Sequence, residues 1–520
     1  MIKKIFCLSL VFIFSIVQIG FAMGQRPPSP TEREGFDKQA FIESAKSERV
    51  LRIGLIDCVA YSLKNNSEVK IERIKPKLRA DDERIAGAEF EPTFSLDYNI
   101  KDTKNISQFS EYFTPTVATS RTTDFNVGVG GKIVTGTEYN IDFLNKKYKS
   151  NASSFYEKLN PYYTAEPKIT ITQPLFRGFG ILVNRADIII SQNTKEMSRD
   201  DFKDMVMDTI TKTQAVYYDY IYYLEQYAIA KLYLERTQKL LEVNKARYLK
   251  GLVSSVALLE TEAAVAEREK AVITSEFDVE TAEDDLKYIT NLVDDPEVWN
   301  ASLELIDKPK FIIQEIDLAQ AIEAAFEYRP DYHAAKIDLE NRDIKVKVAR
   351  NALLPTVNFV GGYGVDGLGP KYKDALNIID NKYKDWSVGV KVSYPWGSDD
   401  RARYDQRKLE KTQAWIAFDR LGQKIVLDIR ERVRDVDIQQ RQVEVSTIAR
   451  ERERLNYEAQ KERYAAGYVS THDMLDYQNK LSRSELDYVK SLIDYNIAVI
   501  ELEKAQGLTL VKNNVILEEP

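Results

Sequence analysis

The sequence contains little cysteine and histidine, two residue types that are common in catalytic and metal sites. Its 520 residues include two cysteines and two histidines. Cys7 lies in an apolar N-terminal run, so a chain that had lost this run would keep only Cys58 and could form no internal disulfide. His333 and His472 are far apart, and His472 beside Asp473 is more typical of a turn than of a metal site. No catalytic or phosphate-binding motif accompanies them, so we expect neither an enzyme nor a cofactor or metal site.

Long hydrophobic segments are also absent beyond the N-terminus. Residues 1–24 combine basic Lys3 and Lys4, an apolar run from Ile5 to Phe21 and small residues near position 24, which is typical of a secretory signal peptide. A membrane-anchoring helix is the alternative. No later apolar run approaches the roughly 20 residues of a membrane helix, so a mature chain that crosses a membrane would have to use strands.

Excess positive charge is a third absence. The chain has 73 Lys and Arg against 81 Asp and Glu, and its formal net charge is −8. Because binding to phosphate backbones depends on Lys and Arg, we expect no nucleic-acid partner.

Alternating polar and apolar residues predict strands in both halves of the chain. The predicted strands lie at about 93–101, 123–131, 137–144, 168–175, 356–365 and 386–394. We expect one face to contact lipid, through Phe94, Leu96, Tyr98, Trp386, Val388 and Val390. The opposite face, with Ser95, Asp97 and Asn99, would line an aqueous lumen. This pattern is typical of an outer-membrane barrel, and a soluble sheet covered on one side is the alternative.

Two very long helical patterns follow the strands. Residues 185–250 contain no proline and would form a helix of about 100 Å. Its return helix has an apolar seam with a seven-residue period, at Leu258, Val265, Val272, Val279, Leu286 and Val293. Four glutamates follow the same period, at Glu262, Glu269, Glu276 and Glu283. The return helix of the second hairpin repeats the seam, at Met474, Leu481, Tyr488, Tyr495 and Leu502. The seam predicts a coiled coil or helical tube, and the glutamates would lie on a solvated face or face a water-filled lumen.

The chain is an internal duplication. Residues 247–260 and 463–476 share Arg, Tyr, Gly, Val, Ser and Leu at the same relative positions, each between two long helices. Glycine allows the left-handed backbone that ends a helix, and the following Ser can begin the next one. Upstream, Leu318, Ala321 and Phe326 likewise match Leu55, Cys58 and Leu63 at one constant offset.

We divide the chain on this basis. The predicted parts are a signal peptide (1–24), an N-terminal arm (25–54), a first repeat (55–293, long hairpin 185–293), a linker (294–317), a second repeat (318–510, long hairpin 401–507) and a tail (511–520). The predicted fold class is mainly α with a β-barrel part. Six strands are fewer than the roughly eight of the smallest outer-membrane barrels, so several copies would have to share one barrel.

These features together resemble the TolC family of outer-membrane channels. The resemblance rests on the duplicated helix, strand and hairpin pattern, on the segment from Thr172 to Gly178, and on the R-Y/F-x-x-G-x-V tips. It implies a homotrimer with a shared barrel in the outer membrane and a helical tunnel through the periplasm. It also implies a periplasmic adaptor (membrane fusion) protein and an inner-membrane pump as partners.

One feature departs from the family pattern. Similar channels have two strands in each half, whereas the first half here contains an additional pair, near 123–131 and 137–144. An added pair keeps the up-and-down alternation of the strands. It would either widen the barrel or lie outside it as a loop.

The resemblance also assigns candidate functional residues. The adaptor-docking tips would be Gly251, Leu252, Val253 and Ser254, and Gly467, Tyr468, Val469 and Ser470. The periplasmic gate would contain Asp473 and Asp476 as an aspartate ring and Tyr464 as a latch. The alternative for the two aspartates is an ordinary solvated pair near a helix start. Val469 stands where the family has a gate arginine, so the latch here must differ.

The predicted function is that of an outer-membrane exit duct. It would conduct cargo passively from an inner-membrane pump in a tripartite efflux or type I secretion system. The alternatives are a soluble periplasmic coiled-coil scaffold or adaptor, and a secreted or surface-bound enzyme with helical arms. Drugs, metal ions and proteins all remain open as cargo.

Overall fold

The computed structural model describes most of the chain outside its N-terminus. The described ranges are 50–106, 117–151, 157–292, 299–379, 383–394 and 396–517. The predicted signal peptide and residues 25–49 of the predicted arm lie outside them. Helices α1 to α11 span Leu55–Asn65, Ser67–Gly87, Ile181–Asn184, Ala186–Leu249, Ser255–Ile289, Leu318–Tyr328, Pro330–Ala352, Tyr372–Asn377, Asp399–Ala465, Thr471–Ala505 and Thr509–Lys512. Strands β1 to β9 span Val50–Ile53, Thr93–Ile106, Val117–Lys132, Glu138–Ser150, Tyr162–Pro174, Ser302–Leu305, Thr356–Val365, Gly367–Gly369 and Lys384–Ser393. None of the described helices is both long and apolar enough to span a membrane.

The order of elements repeats once along the chain. In each half two shorter helices are followed by strands and then by a long helical hairpin, α4–α5 in the first half and α9–α10 in the second. Cys58 of α1 and Ala321 of α6, which match in the sequence, are both buried against the long helix of their own half. The predicted fold class, mainly α with a sheet part, is confirmed.

Four helices lie side by side both near the sheet and near the hairpin tips. Near the sheet the order is α2, α4, α7, α9. Glu83 of α2 pairs with Lys195 of α4 at 2.8 Å, and Asp343 of α7 pairs with Lys411 of α9 at 2.6 Å. Towards the tips the order becomes α5, α4, α10, α9. Thus α4 and α9 run the whole length, while α5 and α9 form the two ends of the row near the tips.

The apolar seams are buried to different extents in the two return helices. Four of the five predicted seam residues of α10 are buried, namely Met474, Leu481, Tyr495 and Leu502. In α5, Leu286 is buried and the other described seam residues are half-buried. The difference follows from position, because α10 lies between α4 and α9 whereas α5 has α4 as its main neighbour.

The glutamate stripe of α5 contacts the other helix of its own hairpin. Glu276 accepts a hydrogen bond from the Tyr227 hydroxyl at 2.7 Å, and Glu283 accepts one from Tyr220 at 3.0 Å. Glu283 also pairs with Lys287 at 2.7 Å. Glu276 remains exposed, as a solvated stripe predicts, whereas the Glu283 side chain is only 16% exposed. The interpretation of the stripe as a solvated or lumen-facing surface is therefore wrong at Glu283, because Tyr220 of α4 and Lys287 surround its carboxylate.

The long strands form one antiparallel sheet in the order β2-β3-β4-β5-β7-β9. Its register produces rows that cross all six strands. One row is apolar or aromatic: Phe94, Val129, Ile141, Ile169, Tyr363 and Trp386. The next row is polar or glycine and lies on the other face: Ser95, Gly128, Asp142, Lys168, Gly364 and Asp385. The sheet is therefore two-faced across its full width.

The additional pair predicted in the first half lies within this sheet. β3 pairs with β2 over fourteen residue pairs, from Thr93–Gly130 to Ile106–Val117. On the other side β4 pairs with β5 from Glu138–Thr172 to Tyr148–Tyr162. The hairpin is thus an integral part of the sheet between β2 and β5, and it is not a loop outside it.

Several short elements have no counterpart in the sequence prediction. β1, at the end of the predicted arm, pairs in parallel with β6 in the predicted linker. α8 and β8 lie between β7 and β9, and a Cβ on Gly367 would come within 2.2 Å of the Ala375 carbonyl oxygen of α8. These elements contain too few residues for a periodic pattern.

Two predicted strands are longer in the structure than in the prediction. β3 and β4 extend beyond the predicted 123–131 and 137–144. The prediction ended too early because the outer ends of both strands are polar on both faces and therefore show no alternation.

Candidate functional site

The tips of the two long hairpins have the same backbone geometry. At the first tip, the Leu252 amide donates to the Arg247 carbonyl at 2.9 Å and the Gly251 amide donates to the Tyr248 carbonyl at 2.9 Å. At the second, Tyr468 donates to Arg463 at 2.9 Å and Gly467 donates to Tyr464 at 3.1 Å. Both glycines have positive φ, +73° and +85°. This is the Schellman arrangement, in which glycine ends a helix and satisfies its last carbonyls.

A serine begins the return helix at each tip. The Ser254 hydroxyl accepts from the Ala257 amide at 3.2 Å, and the Ser470 hydroxyl accepts from the Asp473 amide at 3.1 Å. Each serine thereby satisfies one of the free amides at a helix start. The four-residue links 251–254 and 467–470 are consequently rigid turns rather than free loops.

The predicted docking residues differ in exposure. Leu252 and Tyr468 occupy equivalent positions and are 70% and 78% exposed. Val469 is only half-exposed and packs against a buried cluster of Leu240, Tyr457, Tyr464, Met474 and Leu481. Leu252 and Tyr468 are therefore the side chains that a partner could reach most directly.

Tyr464 is the centre of a buried polar network that joins the two hairpins. Its hydroxyl donates to the side-chain oxygen of Asn244 on α4 and lies 3.1 Å from the Thr471 hydroxyl on α10. The Asn244 amide donates to the Thr261 hydroxyl of α5 at 2.8 Å. Asn244 and Thr261 are fully buried, and Tyr464 and Thr471 are each 5% exposed. The network thus links all four helices that meet at the tips.

Arg247 strengthens the same junction from the first hairpin. Its guanidinium donates to the carbonyls of Tyr464 and Ala465, at 3.0 and 2.8 Å, and lies 4.7 Å from the centre of the Tyr464 ring. Arg247 therefore caps the C-terminal end of α9, where a positive charge is favourable. Its repeat partner Arg463 is exposed and donates to Gln460 of its own helix, at 3.4 Å.

Asp473 and Asp476 lie on the solvent-exposed side of the second tip. The Ser470 hydroxyl donates to Asp473 at 2.7 Å, and this hydrogen bond is the main reason that the pKa of Asp473 is lowered. Asp476 pairs with Lys480 at 2.8 Å. Asp473 thus has a capping role within one chain. The aspartate ring would need other copies of the chain and stays a prediction.

Several residues of this site could not be identified from the sequence. Asn244, Thr261 and Thr471 occupy polar positions in charged helices, and no motif distinguishes them. Arg247 belongs to the repeated tip motif, but the repeat gives no reason to separate it from Arg463. Among the described residues, no group of three or more His, Cys, Asp or Glu side chains could hold a metal ion.

Replacing the Tyr464 hydroxyl tests the network directly. Tyr464→Phe should leave the buried side-chain oxygen of Asn244 without the Tyr464 donor and lower the free energy of unfolding by about 1–3 kcal/mol. Hydrogen exchange of the amides at residues 470–474 should become faster. Tyr468→Phe, at an exposed tyrosine in the same turn, is the matched control and should change neither quantity. Equal behaviour of the two variants would contradict the role given to the network.

Comparison with known proteins places this architecture among solved channels. The structure is similar to the Campylobacter jejuni CmeC outer membrane channel, with 18% identity, coverage of 88% of this chain and 86% of that one, and a TM-score of 0.64. It is similar to the outer membrane protein VceC from Vibrio cholerae (14% identity, 87% and 96% coverage, TM-score 0.63). It also resembles the open state of the Neisseria gonorrhoeae MtrE outer membrane channel (15% identity, 87% and 89% coverage, TM-score 0.61). Comparison with curated protein sequences gives no match.

The sequence itself decides the family. The profile of the family described as outer membrane efflux protein matches residues 146–292 and 321–508, which include both long hairpins. The resemblance to TolC-like channels is thereby confirmed, and the alternative of a soluble periplasmic scaffold is not supported. This family consists of efflux channels rather than enzymes, and its members belong to the outer membrane. The chain is a member of the outer membrane efflux protein family.

Proposed function

We propose that three copies of this chain form a continuous exit duct through the periplasm and the outer membrane. The observation that carries the proposal is that one chain leaves its outer elements without partners on one side. These elements are the edge strands of the sheet and the end helices of the row near the tips. In this assembly cargo passes from an inner-membrane pump through the helical tunnel and the barrel. The chain conducts passively and has no turnover of its own.

The edges of the sheet support closure with further copies. Within the described residues, β2 and β9 each have a strand neighbour on one side only. Because all six strands alternate in direction, β9 of one copy and β2 of the next would run antiparallel. The ladder of backbone hydrogen bonds could then continue around a closed ring, which leaves no open edge in lipid.

The ends of the helix row support the same closure. Ile273 and Phe277 on α5, and Val445 and Ile448 on α9, have exposed fractions of 63–67%. Ile273 lies nineteen residues after Ser254 and Ile448 nineteen residues before Gly467. The two patches are therefore both about 28 Å from the tips along their helices. In a ring of copies, α9 of one chain would lie beside α5 of the next, and these patches would meet.

Charge substitutions at the patches test the assembly. Ile448→Glu should reduce the fraction of trimers in detergent, because a buried unpaired carboxylate costs about 3–5 kcal/mol. Adding Ile273→Glu should reduce it further, whereas Ile273→Lys should restore part of it. Native mass spectrometry gives the oligomer distribution. Thr447→Glu, at an exposed polar neighbour on α9, is the control and should leave the trimer intact. Full trimer formation by the Ile448→Glu variant would contradict this interface.

We further propose that the tips dock a periplasmic adaptor. Both turns are rigid, and each presents one large exposed side chain, Leu252 or Tyr468, at the same position. In a trimer the end of the tunnel would therefore carry six such side chains. A ring of apolar and aromatic groups suits an interface with the tips of another helical hairpin.

Acidic substitutions at the two exposed positions test the docking. Leu252→Asp combined with Tyr468→Asp should abolish export and adaptor co-purification while trimers persist. Val469 is less suitable, because its side chain contributes to the buried cluster. Lys239→Asp, an exposed change further from the tip on α4, is the control and should leave export unchanged. Normal export in the double variant would show that the tips are not the docking surface.

We also propose that Asp473, Asp476 and Tyr464 form the periplasmic gate. Three copies would bring six carboxylates to the tunnel entrance, where they would attract cations. Opening would require the second hairpin to move away from the first. Since Tyr464 and Arg247 hold the two hairpins together within one chain, they would act as the latch.

Removal of the two carboxylates tests the gate in planar bilayers. Asp473→Ala with Asp476→Ala should weaken cation selectivity and block by multivalent cations. The helix start should survive, because the first tip has the same serine cap with Ala257 in place of Asp473. Asp437→Ala, at an exposed ion pair with Arg441 on α9, is the control. Conductance, selectivity and block equal to those of the parent channel would rule out the ring.

A further inference from the structure

In the part of the chain that the structure describes, no helix leads into or out of the β3–β4 hairpin. The other four strands each continue directly into or out of a helix near the sheet: α2 leads to β2, β5 leads through α3 to α4, α7 leads to β7, and β9 leads to α9. The strand order β2, β5, β7, β9 therefore follows the helix order α2, α4, α7, α9. The hairpin is inserted between the strands that belong to α2 and α4.

The turn between β3 and β4 is attached to the segments that join the sheet to α2 and α4. This turn, residues 133–137, lies beside the segment that connects β5 to α4. The Gly180 amide donates to the Thr135 carbonyl at 3.3 Å, and a Cβ on Gly136 would come within 2.4 Å of the Gly178 carbonyl oxygen. On the other side Lys132 pairs with Glu89, just beyond α2, at 2.7 Å. At the boundary between the helices and the sheet, the hairpin thus fills the space between the segment after α2 and the segment before α4.

The widths of the two layers can be compared. Four neighbouring helices with axes 8–10 Å apart occupy about 32–40 Å of circumference. Six strands spaced by about 4.8 Å and tilted by about 35–45° occupy about 35–41 Å, whereas four strands would occupy only about 23–27 Å. With the hairpin included, the sheet of one chain is as wide as the helix row beneath it.

We propose that the β3–β4 hairpin widens the outer-membrane barrel to eighteen strands, so that the exit is as wide as the helical tunnel. This inference rests on the proposed trimer: three copies with six strands each give eighteen. The backbone radius would be about 18 Å, against about 12 Å for a ring of twelve strands with the same tilt. Barrels of 16–18 strands leave an aqueous channel.

The side chains of the hairpin suit a barrel wall with an open lumen. Its apolar residues Phe125, Val127 and Val129 continue the apolar face of β2. On the polar face, Gly128 and Gly130 leave space that neighbouring side chains enter, since a Cβ on Gly128 would come within 2.5 Å of Asp142. Small and hydrophilic groups therefore line the inner face of the inserted strands. The barrel would then impose no narrower limit on cargo size than the tunnel, which suits bulky hydrophilic cargo as well as small solutes.

Electron cryo-microscopy of the intact chain in detergent tests the strand number. We expect a closed ring of eighteen strands from three copies. A trimer with twelve strands and the hairpin outside the ring would overturn this inference and leave the proposed duct intact. A ring built from another number of copies would overturn the proposed trimer as well.

A deletion variant gives a functional measurement of the same width. Removal of residues 117–151 should join β2 to β5 through the remaining residues 107–116 and 152–161 and leave twelve strands. In planar bilayers, the largest polyethylene glycol that enters from the extracellular side should then have a radius about one third smaller, in proportion to the strand number. Removal of α8, which adds no strand, is the control and should leave the limit unchanged. An unchanged limit in the hairpin deletion would contradict the proposal, and if that variant fails to fold, the strand number of the intact chain decides.

Discussion

Hydrogen bonding at the two edges of the sheet is the constraint on which the architecture depends. In the described part of the chain, β2 and β9 are each paired on one side only, and unpaired backbone groups in lipid cost several kcal/mol. An even number of alternating strands allows identical copies to continue the ladder without a parallel joint. The helices also need neighbours, because the row near the tips ends in exposed apolar patches on α5 and α9. The membrane part and the periplasmic part therefore both require neighbours, and one ring of copies can satisfy both.

Duplication supplies two equal hairpins, but the structure uses them differently. Both tips end with the same glycine turn and the same serine cap. Their side chains nevertheless have different partners: Tyr464 is 5% exposed inside the network, whereas its repeat partner Tyr248 is 44% exposed. Arg247 bridges the hairpins, whereas Arg463 donates to Gln460 of its own helix. The two tips therefore share one backbone geometry but form a single junction between the hairpins. To this junction the first tip contributes Arg247 and the second contributes Tyr464.

Much of the fold could be predicted because it depends on local patterns. The seven-residue seam of Met474 and Leu481 indicates a long helix whichever neighbour it has, and the alternation from Phe94 to Lys101 indicates a two-faced strand. The candidate site was only partly accessible in this way. The tip turns were recognisable from Gly251 and Gly467, but Asn244 and Thr471 are unremarkable in sequence, since only their common contact with Tyr464 distinguishes them.

The sequence by itself determined the duplication, the two-faced strands, the long helices and the positions where those helices end, because each follows from residue period or from the backbone freedom of glycine. Only the tertiary structure decided that β3 and β4 lie inside the sheet, that Glu276 and Glu283 face tyrosines of α4, and that Tyr464 joins the two hairpins. The physical reason is the same in all three cases. Each depends on which residues of distant segments lie opposite one another. Packing between elements sets this register, and the residue period within a single element carries no information about it.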